Sequence, residues 1–404
     1  MNAAASLRRG ACPSLPEPMQ TGDGLLARLQ PLAPLTLDQL AGLACLARTL
    51  GNGIVEVTAR GKLQLRGLSP TSAARLPPAV DALGIEVPQG FPTEASALAG
   101  LDPAERVDPR PLARAIMDAA APLVPQLAPK ASVVIDGGGA LHLEALKADI
   151  GVTAIAVERW LVSLAGVPAG EAAPGQAAAA VLALLQRMAG EGRTARMADL
   201  VVAHGASVLA QEAGLLPASP TTARREAKPV GIHGLRDGSV ALGLGLAFGQ
   251  ARAEALEALV VAARGTGARH VEPAAGRALL VVGLSQEAAE DLRTQAAALG
   301  FLTDPADPRR RIFACAGRPA CGSARIETHR LAEALAPFLR GGQLHVSGCP
   351  KGCAHPARAP LTIVGLDEGA GLVVEGTARD VPLRSVPEAR LAGAAREFLQ
   401  KGEI

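Results

Sequence analysis

Four cysteines lie close together near the C-terminus in the pattern Cys315-x5-Cys321, 27 residues, Cys349-x3-Cys353. Thiolates select soft metals, and a set of four suits either zinc or an iron–sulfur cluster. Structural zinc is usually gripped by short Cys-x2–4-Cys knuckles, and the first gap here is wider than that. Gly317, Pro319, Gly322, Gly348, Pro350 and Gly352 crowd the cysteines. Such residues let the backbone approach inorganic sulfur and aim N–H groups at it. The pattern predicts a 4Fe–4S cluster on Cys315, Cys321, Cys349 and Cys353, with zinc or free thiols as the alternatives. The other two, Cys12 and Cys45, read as a tail thiol and a buried helix residue with no ligand role.

A second constellation is basic. Arg28 and the run Arg60, Lys62, Gln64 and Arg66 fall in strand-like sequence, and strict alternation puts the last four on one face. Three cations and an amide on one face make either a solvated surface or a clamp for carboxylates, which Arg grips with a bidentate fork. Lys130 precedes another strand and reads as a surface residue or a further anion contact. His142-x-Glu144 has the spacing of part of a two-His-one-carboxylate iron site, so a second, mononuclear iron is a possibility to test there. His355, two residues after Cys353, is placed to hydrogen-bond near the cluster or a substrate. Gly243-x-Gly245-x3-Gly249 misses the dinucleotide fingerprint, so no nucleotide fold is expected and electrons must come from outside.

Positioning these groups requires a repeated scaffold. Shifted by 216, residues 40–85 lie over 256–301 without a gap, and 17 of the 46 positions are identical. Each copy reads as strand, helix, strand, strand, helix: Leu25–Leu29, a helix through Leu37–Leu50, strand-like Ile54–Leu68 split by Gly61, and a helix over 73–83. That order predicts a half ferredoxin-like unit used twice. In the second copy the basic face becomes Gly276, Ala278, Leu280 and Val282, so the fold itself does not need the cations. The expected plan is a disordered tail (1–20), a first half unit (21–90), a lobe (110–216), a second half unit (230–305) and a cysteine-bearing lobe (306–404). A Pro-rich linker spans 88–111 and a hinge 217–229. Helices are expected near 111–127 and 325–340, with strands over 131–136 and 343–347. The fold class is α/β (α+β).

Composition excludes several classes. The chain has 404 residues, 49% of them in the AVILMFWYC set, which is ample for packed cores. Forty basic against 38 acidic side chains, six Phe, one Trp and no Tyr give neither a basic field nor stacking platforms for nucleic acid. The longest apolar stretch, around Ala177–Leu185, falls short of the roughly 18 residues of a membrane span. Arg8 and Arg9 are followed at once by prolines, so no signal core is expected and the chain should stay in the cytoplasm.

Taken together, the paired cysteine motifs and the segment Thr58-Ala59-Arg60-Gly61-Lys62-Leu63-Gln64-Leu65-Arg66-Gly67 resemble the sirohaem-dependent nitrite and sulfite reductase family over nearly the whole chain. The stretch from Leu344 to Pro356 (LHVSGCPKGCAHP) is similar to one branch, the precorrin-3B synthases of aerobic cobalamin biosynthesis. The resemblance implies a pseudo-twofold fold of half units and lobes, with one lobe carrying the cluster. It implies oxygen-dependent hydroxylation of precorrin-3A at C20 with γ-lactone formation. The implied partners are precorrin-3A, dioxygen and an electron-donor reductase or ferredoxin passing on NADH-derived electrons, and a non-haem iron is implied beside the cluster. Arg28, Arg60, Lys62, Gln64, Arg66 and Lys130 would then contact the tetrapyrrole's carboxylate arms. The chain departs from the reductases at Lys351, where they have Asn, and at Ser132, where they have a second lysine. A true sirohaem reductase and a non-enzymatic metal protein are the competing readings.

Overall fold

The computed structural model describes residues 13–400 apart from Gln89, Thr221 and Ala223, so Cys12 lies outside the described residues. The chain opens with β1 (Met19–Thr21), β2 (Gly24–Leu29), α1 (Leu37–Leu50), β3 (Ile54–Val57), β4 (Leu63–Leu68) and α2 (Pro70–Ala82). The N-terminus of α1 is a capping box. Thr36 Oγ1 accepts the Gln39 N–H at 3.1 Å, and Gln39 Oε1 accepts the Thr36 N–H at 2.9 Å. Its buried stripe is Leu40, Leu43, Ala44, Ala47 and Leu50. Cys45 lies off that stripe and is exposed, which corrects the expectation of a buried cysteine.

A second segment follows: β5 (Thr93–Ala95), α3 (Arg110–Ala119), β6 (Val133–Asp136), β7 (Ile150–Ala156), β8 (Arg159–Leu164), β9 (Val167–Ala172), α4 (Pro174–Gly190), α5 (Met197–His204), α6 (Ala206–Glu212) and β10 (Leu216–Pro217). The third comprises β11 (Gly231–Gly234), β12 (Val240–Gly245), β13 (Gln250–Arg252), α7 (Ala253–Arg264), β14 (His270–Ala274), β15 (Ala278–Leu284) and α8 (Gln286–Ala298). The last holds β16 (Ile312–Ala314), α9 (Thr328–Leu335), β17 (Leu344–Ser347), β18 (Ala359–Gly365), β19 (Ala370–Gly376), β20 (Arg384–Val386) and α10 (Glu388–Gln400).

Four sheets result, in the orders β1-β2-β4-β3-β13, β10-β9-β8-β7-β6-β5, β11-β12-β15-β14 and β16-β17-β18-β19-β20. The element order β2-α1-β3-β4-α2 is met again as β12-α7-β14-β15-α8, with β13 inserted before α7. The first and third sheets share one core, in which Leu40 and Leu43 of α1 meet Leu256 and Leu259 of α7. Strand β13 leaves its own half and pairs antiparallel with β3, placing Gln250 opposite Glu56. No helix among the described residues is long and apolar enough to cross a membrane.

Several boundaries differ from the sequence reading. Residues 88–111 are not a slack linker. They contain β5, paired in parallel with β6, and they bury Glu94, Leu98, Asp102 and Glu105. A three-residue strand is too short to carry a period. Leu15 is buried and β1 begins at Met19, so part of the expected tail belongs to the fold. The helix expected over 325–340 is α9 alone, and a 3-10 turn over Ala336–Phe338 follows because Pro337 has no N–H to continue it. The helix expected over 111–127 divides in the same way, into α3 and a 3-10 turn over Ala121–Gln126 that carries Pro122 and Pro125. The hinge is tied down, since Ser219 N–H donates to Glu171 at 2.8 Å and Arg224 Nη1 to Asp136 at 2.7 Å. Gly243 lies within β12, where a Cβ would collide with the Pro229 carbonyl, so this glycine serves strand packing.

Candidate active site

The four cysteines sit on two loops at the ends of parallel neighbours. Cys315 follows β16 directly, and Cys349 follows β17 by two residues. Cys315 is held at its carbonyl and at its sulfur. Thr328 Oγ1 donates to its carbonyl at 2.6 Å, and the Gly348 N–H donates to its Sγ at 3.2 Å. The Cys321 N–H donates to Gly317 O at 2.7 Å, and Ser347 Oγ to Cys349 O at 2.7 Å. Glycine is required where the loops touch. A Cβ on Gly348 would lie 2.7 Å from the Ala324 side chain and 3.4 Å from Cys315 Sγ.

The thiols sense one another. Burial pushes the Cys315 thiol up, the N–H groups of Gly348 and Gly317 oppose that, and the Cys321 and Cys349 charges add to it. Burial likewise raises Cys353, with Cys315 and Cys349 adding and Arg66 opposing. Clustered thiols with N–H groups aimed at one of them have the chemistry of a donor set for a cationic centre, whose charge, when bound, would favour thiolate ligands. Among the described residues no three His, Cys, Asp or Glu side chains stand as close as a single metal ion requires. The residues fit a multinuclear iron–sulfur centre.

The first half unit reaches into these loops. The turn between β1 and β2 abuts them, with the Gly322 N–H donating to Gly22 O at 2.9 Å. The next residue, Asp23, takes a two-pronged ion pair from Arg66, Nη2 to Oδ1 at 2.8 Å and Nε to Oδ2 at 2.9 Å. Arg66 Nη1 also donates to Glu56 at 2.9 Å. Arg28 donates to Gln64 Oε1 from Nε at 2.9 Å and Nη2 at 2.6 Å. Gln64 is buried, so this face is not solvated. Asp23, which Arg66 grips, adjoins Gly22, whose carbonyl is bonded to the first cysteine loop, so this end of the face lies beside the cysteine lobe. His329 is half-buried against Phe248, and desolvation followed by the Arg66 and Arg252 charges pushes it down to about 4.

The basic set divides. Arg60 and Lys62 turn to Glu94 on β5, with Lys62 Nζ at 3.0 Å, and Arg60 Nη1 caps the Lys147 carbonyl at 2.8 Å. Arg60 lies in the turn between β3 and β4 and not on a strand, because Thr58 N–H and Gly61 N–H close that turn onto Lys62 O and Thr58 O. Arg60 and Glu94 line a polar cavity of about 170 Å3, together with Ser96, Arg110 and Glu272. Lys130 is exposed in the turn before β6, and Ser132 is taken up by Asp149. His142 Nε2 lies 2.6 Å from the Arg225 carbonyl, which can only accept, so Nε2 carries the proton and Nδ1 faces Glu144 at 3.9 Å. His355 stacks on Phe313 with ring centroids 4.3 Å apart.

Sequence reasoning missed the carboxylates that hold the cations, Asp23, Glu56 and Glu94. The only signal was the Asp23-Gly24 turn dipeptide, which marks a hairpin but not the pairing of Asp23 with Arg66. On the third sheet the face at the corresponding strand, Ala278, Leu280 and Val282, packs with Leu98 and Leu141. That face is apolar where the first sheet carries charge.

No family model matches the chain. The chain is similar to precorrin-3B synthase from Sinorhizobium sp, 42% identical over 99% of this chain and 91% of the relative. It is 25% identical to sulfite reductase (ferredoxin) 1 of Mycolicibacterium paratuberculosis, over 39% of this chain and 31% of that protein. The NirA protein of Mycobacterium tuberculosis shares the α/β fold with a TM-score of 0.74 at 18% identity, covering 94% of this chain and 81% of that one. With 42% identity sustained along nearly the full length of both chains, this chain belongs to the precorrin-3B synthase family.

Proposed function

We propose that the chain hydroxylates precorrin-3A at C20 with dioxygen and closes the ring A acetate to a γ-lactone. The observation that carries this reading is the near full-length identity to a precorrin-3B synthase. One oxygen atom enters the product and the other leaves as water, with two electrons supplied through a donor reductase or ferredoxin and two protons taken from solvent. A 4Fe–4S centre on Cys315, Cys321, Cys349 and Cys353 would, when bound, relay those electrons singly. The two β-α-β-β-α units are read as copies of one ancestor, of which only the first keeps a charged face.

The substrate's carboxylate arms would meet Arg28 and Arg66, with Gln64 between them, on the face turned to the cysteine lobe. Arg60, Lys62 and Lys130 would serve arms that extend toward the second segment. Arg66 is engaged by Asp23 and Glu56 and Arg60 by Glu94, so the arms would share these guanidiniums through their unused N–H groups. His142 and Glu144 stay the proposed pair for a mononuclear iron, with Nδ1 the nitrogen that offers a lone pair. An open hollow over Cys349, rimmed by Arg325, Lys351 and Arg379, offers an acidic electron carrier an approach to the centre.

The test is anaerobic purification followed by iron, acid-labile sulfide and tetrapyrrole analysis, then turnover with precorrin-3A. Four sulfides and up to five irons per chain, the fifth being the mononuclear iron, with no sirohaem and with substrate-dependent dioxygen uptake, are expected. Stoichiometric sirohaem with sulfite or nitrite reduction would replace this reading with the reductase one.

A further inference from the structure

His345 is fully buried in β17, yet neither ring nitrogen has a hydrogen-bond partner among the described residues. A neutral imidazole carries one N–H, and a buried donor left unpaired is destabilising. The strand's alternation explains which way it faces. Leu344 and Val346 enter the core of the cysteine lobe, while His345 and Ser347 lie on the opposite side. Ser347 Oγ reaches the Cys349 carbonyl from that side. A Cβ on Gly352, between Cys349 and Cys353, would lie 3.8 Å from His345 Cε1. The ring therefore lies under the second cysteine loop.

It is also held there. The ring meets His355 edge to face at 5.7 Å, His355 stacks on Phe313 at 4.3 Å, and Arg277 caps Phe313 at 4.6 Å. Arg277 is itself fastened to the Ile312 carbonyl at 2.7 Å. A row of three side chains thus fixes an imidazole whose ring nitrogens have no partner among the described residues. Burial, then the His355 charge, pushes His345 down to about 4, so the ring is neutral and carries one N–H.

We propose that His345 donates its N–H to a sulfur of the centre held by Cys315, Cys321, Cys349 and Cys353, and so raises that centre's reduction potential. The proposal rests on the cluster reading above. A hydrogen bond to a cluster sulfur withdraws charge and favours the reduced form, and such outer contacts tune a metal centre without ligating it. His345 is in this sense a positioning and tuning residue.

The experiment is an EPR-monitored redox titration of the anaerobically purified full chain, with iron and sulfide analysis on each sample. His345→Leu should keep the cluster and shift its potential to a more negative value. His345→Asn, which retains an N–H near Nδ1, should recover part of that shift. If the His345→Leu variant loses its cluster, the wild-type protein decides through pulsed EPR on [15N]histidine-labelled material. Weak 15N coupling to the reduced cluster supports the proposal, and its absence overturns it. An unchanged potential in a cluster-bearing His345→Leu variant overturns it as well. A wild-type protein without iron and sulfide overturns the cluster reading instead.

Discussion

The Gly22 carbonyl accepts the Gly322 N–H at 2.9 Å, and Gly22 lies so near Cys321 that a Cβ would run into its Sγ. The β1–β2 hairpin is thus seated directly on the first cysteine loop. Gly22→Val should displace Cys321 or lift the hairpin, at about 1–3 kcal/mol of overpacking. Iron and sulfide content should fall while far-UV circular dichroism stays that of the parent. Full metal content in this variant would show that the hairpin contact does not support the site.

The ligand assignment separates five described cysteines into four and one. Ala substitution of Cys315, Cys321, Cys349 or Cys353 should abolish or sharply reduce iron and acid-labile sulfide. Cys45→Ala should retain both, because Cys45 is exposed on α1 far along the chain from the cysteine loops. A Cys353→Ala protein with a complete cluster would remove that residue from the set.

Arg66 is the cation that two carboxylates depend on. Its side chain is 13% exposed and that of Asp23 is 1% exposed. Burial by itself would raise the Asp23 carboxyl, but the hydrogen bonds and charge of Arg66 hold it below the usual 3.8. The ion pair therefore contributes stability above about pH 4, which is lost as pH falls through the lowered native value. Arg66→Ala should cost about 3–5 kcal/mol at pH 7, since it leaves buried charge uncompensated. Urea unfolding at pH 7 and pH 3 should show a smaller acid-induced loss in the variant than in the parent.

Glu105 should produce the opposite slope. Burial pushes its carboxyl up to about 7, and the Gly100 N–H, which donates to it at 2.6 Å, only partly offsets this, while the Asp108 charge adds to the rise. The folded chain then keeps a proton that the unfolded chain releases near 4.5, so stability falls as pH rises from about 4.5 to 7. Glu105→Gln should remove that decline, gaining relative to the parent at pH 8 more than at pH 5. Thermal melts at the two pH values check it, and parallel shifts in both proteins would sink it.

The cysteine spacing, the leucine period of α1 and the strand–helix order of the half units were legible because each is a local pattern. The partners were not. Nothing in the neighbourhood of Asp23 or Glu94 points to Arg66 or Arg60, which meet them only after strands distant in sequence pair. Alternation placed Gln64 and Arg66 on one face correctly, yet it could not show that a turn at 58–62 swings Arg60 toward β5. His345 is disguised by its own strand, where a single His between Leu and Val reads as packing. The exposure of Cys45 was available from helical phase, since Leu40, Leu43, Ala47 and Leu50 leave it on the outer side.

Strand β13 completes the edge of a sheet whose other members all precede residue 69. During synthesis the ribosome must therefore add the whole second segment before that edge is covered, a delay on the order of ten seconds or more at 5–20 residues per second. Until then β3 offers an open row of backbone donors and acceptors, and half of the shared core has no partner. The nascent first half unit is thus the stage at which this chain is most exposed to chaperones and to aggregation, and fragments ending before Gln250 would inherit that exposure permanently.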